Sequence, residues 1–134
     1  MSEKAIVEAA FEQWKAGSAY ISDIFADDLK WTITGHSAAS RYYDGKQAFI
    51  DEVLHPFAAR FSTPFRPTDI KGVYADGEMV VVLWDGEGVA NDGTTYRNTY
   101  AWFMTVKDGK VVEGTAFYDS ISFNDLWTRV VPRP

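Results

Sequence analysis

Two side chains in this sequence are candidates for moving a proton, and a third group for holding a ligand's oxygen atom. Asp119 lies in a largely apolar run with Phe117, Tyr118 and Ile121. A carboxylate pointing from such a run into an apolar hollow is poorly hydrated; its pKa rises and it becomes a useful general base. His36 opens a loop of small residues, Ser37–Ser40, just after Trp31–Gly35. An imidazole there exchanges protons near neutral pH. Asn98, Tyr100 and Trp102 are spaced by two, so in a strand they share one face. That face would present an amide, a hydroxyl and an indole N–H to a ligand, with Arg97, Thr99, Ala101 and Phe103 opposite. Each candidate also has a plainer reading: Asp119 as a strand-end carboxylate facing solvent or backbone donors, His36 as a loop histidine bonded to the backbone. Glu113 reads as a solvated strand residue near the sheet end, and His55 as structural, with the pocket mouth as its alternative place.

Other chemistries find no residues to carry them. There is no cysteine, hence no thiolate nucleophile, disulfide or Cys-ligated metal, which suits a reducing cytoplasm. No G-x-x-x-x-G-K-[ST], G-x-G-x-x-G or G-x-S-x-G pattern occurs. Two isolated histidines do not make a zinc site. No metal and no cofactor is expected. The net charge of −6 repels phosphate backbones, so nucleic acid is not expected as a partner. No Lys/Arg run addresses an anionic membrane, no stretch is long and apolar enough to span one, and the opening Met1–Lys4 leads into no signal core. The expected location is the cytoplasm.

The elements that must position these groups follow from length and periodicity. The 134 residues fit one domain, 1–134, with 46% hydrophobic and 16% aromatic residues. Five Trp, seven Tyr and nine Phe either line a cavity or fill an aromatic core; composition supports both equally. Ile6, Val7, Ala10, Phe11 and Trp14 form one helical stripe over residues 3–16, with Ser2 as N-cap and Gly17 as stop. A helical turn follows near Tyr20–Phe25, and Leu29–Thr34 alternates as a short strand. Asp44-Gly45-Lys46-Gln47 has the form of a capping box ahead of a second helix through Phe49, Ile50, Val53, Leu54 and Phe57, which Pro56 should kink or end. Pro64 and Pro67 bracket an extended lead into the sheet.

Four β-type runs then follow, Ile70–Tyr74, Met79–Val89, Thr95–Val106 and Val111–Phe123, joined at Asp76-Gly77, Asn91-Asp92-Gly93 and Asp108-Gly109. The last three would reach roughly 35 Å at about 3.3 Å per residue, and strands of that length must twist and bend. Gly86, Gly88 and Gly114 mark bends or bulges. The expected class is α+β: a cone-shaped, curved antiparallel sheet, built as a four-strand meander plus a short N-terminal strand, with two to three helices over its concave face.

This order of elements resembles the nuclear transport factor 2-like superfamily, in its SnoaL-like and ketosteroid-isomerase-like branch. The resemblance rests on Trp31–Gly35, on Tyr43-Asp44-Gly45-Lys46-Gln47-Ala48-Phe49, and on Tyr96–Trp102 leading through Asp108-Gly109-Lys110-Val111-Val112-Glu113 to Phe117-Tyr118-Asp119. It implies that Asp119 matches the catalytic aspartate of SnoaL-like cyclases, and that His36 falls near the isomerases' aspartate base. The isomerase pattern is broken in two places. An imidazole stands where the base would be, and Ala101 or Trp102 stands near the position of the protonated acid that completes the oxyanion hole. Phe11 and Trp14, with Tyr20 just beyond, occupy the neighbourhood of that hole's tyrosine. Tyr20, Tyr100 and Tyr118 are the candidate hydroxyl donors.

The expected function is therefore a pocket for a small apolar or aromatic molecule. One reading is a cofactor-free lyase, isomerase or cyclase-type enzyme, with Asp119 and His36 as proton carriers. Its substrate would be a carbonyl or hydroxylated compound held by Asn98, Tyr100, Trp102, Tyr118, Tyr20 and Trp14. The other reading is a non-catalytic ligand-binding or dimerisation module. In either case the resemblance implies a homodimer paired through the convex sheet face. Trp31, Trp84, Phe49 and Phe57 read as core or interface residues rather than ligand contacts.

Overall fold

The computed structural model describes residues 2–134; Met1 lies outside them. Helix α1 spans Glu3–Ala16 and is bounded as its end residues demand. The Ser2 hydroxyl accepts the Ala5 N–H at 3.1 Å, and Gly17 closes the helix with φ 78°, a left-handed conformation that glycine adopts without strain. Val7, Ala10 and Phe11 are its buried face. A 3-10 turn, Ile21–Ile24, leads into strand β1, Phe25–Ile33. Strand β2, Tyr42–Asp44, pairs antiparallel with β1.

Residues 46–58 form one continuous helical stretch: α2 Lys46–Phe49, a π turn Ile50–Leu54, and α3 His55–Ala58. Pro56 neither ends nor visibly breaks it. Proline offers no N–H and its ring crowds the carbonyl one turn back; the wider π turn immediately before it absorbs both problems. The capping box does not form. Gly45, not Asp44, is the N-cap, and it makes no side-chain bond. The Asp44 carboxylate instead accepts from Lys30 at 2.7 Å, and Gln47 donates to Asp51.

Strands β3 (Phe61–Asp76), β4 (Met79–Ala90), β5 (Thr95–Lys107) and β6 (Lys110–Tyr118) make the expected meander. Asp108 and Gly109 both take positive φ, 52° and 76°, as a tight two-residue hairpin requires. Three features differ from expectation. The curved, unclosed sheet has six strands in the order β2-β1-β6-β5-β4-β3, and it is mixed, because β1 runs parallel to β6. β3 starts nine residues early, at Phe61 rather than Ile70, and includes both prolines. It is an edge strand, where a missing N–H is tolerated, and its register against β4 shifts four times. Finally, the last β-type run stops at Tyr118. Helix α4, Ser120–Arg129, follows, and the Asp119 carboxylate caps it by accepting the Ile121 N–H at 3.0 Å.

Alternation along the central strands sets the core. Val80, Val82, Trp84, Gly86, Gly88 and Ala90 of β4 are buried, as are Tyr96, Asn98, Tyr100, Trp102, Met104 and Val106 of β5. Helix α1 and the 46–58 stretch cover this face with Val7, Phe11, Phe49 and Val53. Among the described residues no helix is long and apolar enough to cross a membrane.

Candidate functional site

The sheet and its helices do not close on a solid interior. Between them lies a cavity of about 480 Å³. Its floor is aromatic because residues spaced by two on neighbouring strands meet there. Trp84 stacks on Tyr100 at 4.4 Å between centroids, and Trp102 meets Trp84 at 5.2 Å and 89° and Trp31 at 4.9 Å and 79°. Trp14 of α1 closes against Trp84 at 5.1 Å, and Phe49 stacks on Trp31 at 5.0 Å. Ala116, paired in register with Trp102, supplies a small side chain among these rings. The lining runs from fully buried Trp31 and Trp84 to exposed Tyr20, Pro64 and Arg133, so the hollow opens to solvent beside the 3-10 turn and the start of β3.

Space on this face depends on glycine. A Cβ on Gly114 would come within 2.2 Å of the Trp31 ring, and one on Gly86 within 2.2 Å of the Phe65 ring. The rings lie directly on the backbone at these positions. The indole N–H groups of Trp31, Trp84 and Trp102 have no oxygen or nitrogen partner among the described residues. Near-perpendicular ring pairs of this kind are the setting for N–H···π contacts.

Two chains of hydroxyl groups end at the cavity. In the first, the Asn98 amide donates to the Tyr96 hydroxyl at 2.8 Å, and that hydroxyl lies 2.7 Å from the hydroxyl of Tyr100. In the second, the Tyr118 hydroxyl lies 2.7 Å from Ser37 Oγ, which lies 2.8 Å from Ser40 Oγ, which donates to the Thr34 carbonyl at 2.7 Å. Burial disfavours a phenolate, and it raises all three tyrosine pKa values: Tyr96 to about 12, and Tyr100 and Tyr118 well above the usual phenol value. All three are neutral hydroxyls at physiological pH.

The sequence candidates separate in space. Trp14, Tyr20, Tyr100, Trp102 and Tyr118 line the cavity. So do Trp31, Trp84, Phe49 and Phe57, which had read as core or interface residues; they are core on one side and wall on the other. Asn98 is on the expected inner face but does not touch the cavity. Its amide is consumed by Tyr96, by both backbone groups of Asp119 and by the Thr99 N–H. Asp119 is exposed and outside the cavity, its carboxylate shared between the Ile121 N–H and the Ser122 hydroxyl. It lies in a second, polar groove on the outside of the sheet with Asp85, Glu87 and Arg97. His36 is exposed and does not line the cavity; His55 and Glu113 are also exposed.

Among the described residues no carboxylate or imidazole lines the cavity, and Arg133 is the one charged group there. Among the described residues no group of three His, Asp or Glu is placed to hold a metal ion. Phe61, Ser62, Phe65, Phe123 and Arg133 are lining residues that the sequence reading missed. Phe123, Leu126, Trp127 and Val130 repeat at i, i+3, i+4, i+7, a helical signal behind Asp119 that would have revealed α4.

A family model described as a SnoaL-like domain matches residues 7–114. No curated protein matches the chain in sequence. Solved structures share the fold. A protein of unknown function with a cystatin-like fold from Xanthomonas campestris is 22% identical, with a TM-score of 0.78 over 95% of this chain and 98% of its own. A nuclear transport factor 2-like (NTF2-like) protein from Anabaena variabilis is 18% identical, TM-score 0.73, over 91% and 94%. TerC, co-crystallised with polyporic acid, is 19% identical, TM-score 0.72, over 95% and 99%.

Proposed function

Because this chain belongs to the SnoaL-like family of NTF2-like folds, we propose that it binds a small, largely apolar, aromatic organic molecule in the hollow of its sheet. The observation that carries this reading is the ring-lined cavity of about 480 Å³. That volume lies in the usual range for small-molecule sites, about 300–1,000 Å³. Indole and phenol faces favour a flat partner by offset stacking and edge-to-face contact. Tyr100 and Tyr118 supply the few polar atoms that orient it. The co-crystallisation of TerC with polyporic acid supports an organic ligand for a fold of this shape.

Binding is favoured over acid–base turnover because the two expected proton carriers, Asp119 and His36, stand outside the lining. A cofactor-free isomerase, cyclase or lyase reaction is the second reading. The buried hydroxyls of Tyr100 and Tyr118 favour it, since donors in a low-dielectric site stabilise charge developing on a substrate oxygen. Four tryptophans line the cavity, so saturable quenching of intrinsic fluorescence by flat aromatic ketones is the expected result. Lack of saturable quenching across such a panel would overturn the binding reading. Asp119→Asn keeps an N-cap side chain and should leave ligand affinity unchanged, with less than about 0.5 kcal/mol lost in stability. A folded Asp119→Asn protein that has lost turnover of a bound compound would return Asp119 to the mechanism.

A further inference from the structure

The two cavity tyrosines are chemically alike, but the hydrogen bonds behind them have opposite directions. The directions follow from groups that have no choice. The Asp119 N–H can only donate and its carbonyl can only accept. The first bonds to Asn98 Oδ1 at 3.2 Å and the second to Asn98 Nδ2 at 3.0 Å. This pins the amide, so Nδ2 is the group facing Tyr96, and it donates to the Tyr96 oxygen. The buried Tyr96 hydroxyl has one proton to place, and among the described residues the Tyr100 oxygen at 2.7 Å is the acceptor within reach, so Tyr96 donates there. Tyr100 thus receives a hydrogen bond and keeps its own proton for the cavity.

The second chain runs the other way. Ser40 spends its proton on the Thr34 carbonyl, and its oxygen accepts the Ser37 N–H at 2.8 Å. Ser37 Oγ must therefore donate to Ser40 Oγ. With that proton committed, Ser37 Oγ can only accept from Tyr118, and it also accepts the Ala39 N–H. Tyr118 has spent its proton on the protein and offers the cavity only a lone pair.

We infer that Tyr100 is the cavity's hydrogen-bond donor and Tyr118 its acceptor, so that the site selects a ligand carrying both a carbonyl-type oxygen and a hydroxyl. The ring centroids of Tyr100 and Tyr118 are 5.4 Å apart, which places both functions on one small molecule. A hydroxylated aromatic ketone or quinone has this chemistry; a plain hydrocarbon or a compound with acceptors alone satisfies half of it. Asn98 and Tyr96 on one side, Ser37 and Ser40 on the other, are positioning residues that set the polarity. The inference rests on the proposed pocket function and refines its ligand class.

The test uses titration calorimetry with two probes of one shape, 9-fluorenone, which can only accept, and 2-hydroxyfluorene, which can donate. Circular dichroism and thermal melts confirm that each variant is folded. Tyr100→Phe should weaken fluorenone about fivefold, the worth of one neutral hydrogen bond, and Tyr118→Phe should leave it unchanged. Tyr118→Phe should weaken hydroxyfluorene by a similar factor. Ser37→Ala removes the acceptor of the Tyr118 proton, frees that hydroxyl to donate, and should strengthen fluorenone. A Tyr118→Phe protein that loses fluorenone as severely as Tyr100→Phe, or a Ser37→Ala protein with unchanged probe preference, overturns the assigned polarity while leaving the pocket intact. Failure of the wild-type protein to bind either probe overturns the pocket reading itself, and the polarity with it.

Discussion

Tyr96 sits between the Asn98 amide and the Tyr100 phenol, 4% exposed, with burial as the main reason its pKa rises to about 12. The sign of the effect on stability follows from linkage. The unfolded chain releases this proton near pH 10, the folded protein only near pH 12, so the stabilisation is fully present below pH 10 and is lost as pH climbs between the two. Thermal melts from pH 8 to 12 should show a steep alkaline decline in wild-type protein and a shallower one in Tyr96→Phe. Equal declines would place Tyr96 in a wetter setting than its bonds indicate. Asp119 teaches the converse at the same scale. Phe117, Tyr118 and Ile121 around it are largely apolar, yet the backbone turns at this residue, and a carboxylate beside free helix N–H groups becomes a cap.

At the scale of elements, α4 depends on one cation. Arg60, 6% exposed, donates through Nε to the Val130 carbonyl at 3.0 Å and through its terminal nitrogens to Pro56 and Trp127, while stacking 3.9 Å over the Trp127 ring. Among the described residues no carboxylate bonds to it; three carbonyls take that part, and burial lowers its pKa from the usual arginine value. These bonds tie the C-terminal end of the 46–58 stretch to the last turn of α4. Arg60→Met keeps the stem and removes the donors; it should cost about 3 kcal/mol, read as a lower denaturant midpoint, with earlier proteolytic cleavage in residues 120–134. A midpoint within about 0.5 kcal/mol of wild type would show that α4 is held by its apolar face alone.

Across the whole molecule, the convex sheet face is more apolar than a solvated sheet requires. Leu83, Ala101 and Phe117 sit side by side in register, and so do Val81, Phe103 and Thr115 in the next row. Leu83 is 36%, Phe103 37% and Phe117 47% exposed, and the Phe103 and Phe117 rings touch edge-to-face at 5.7 Å. A continuous apolar patch of this kind marks an association surface. We propose that two copies pair through it. Sedimentation at micromolar concentration should give twice the 15.1 kDa chain mass, and Phe103→Glu with Leu83→Lys should give the single chain. A wild-type monomer under those conditions would refute the pairing.

Local patterns determined that α1 exists and stops at Gly17, that four strands follow in a meander, and that Asn98, Tyr100 and Trp102 share one face, because helix and strand repeats and Gly-marked turns are local properties; that this face is the inner one was implied by the family resemblance. Three matters were decided only in three dimensions. The parallel pairing of β1 with β6 joins segments some eighty residues apart, and no local pattern encodes it. The role of Asp119 depended on where the backbone turns after Tyr118: the helical repeat of Phe123, Leu126, Trp127 and Val130 was legible, but that the carboxylate caps this helix outside the cavity was not. The separation of Trp31, Trp84, Phe49 and Phe57 from ordinary core residues depends on whether the space between them is filled, and that is set by the curvature of the sheet and by Gly86, Gly114 and Ala116. A sequence specifies which side chains turn inward; whether they meet or leave room for a guest is a property of the assembled surfaces.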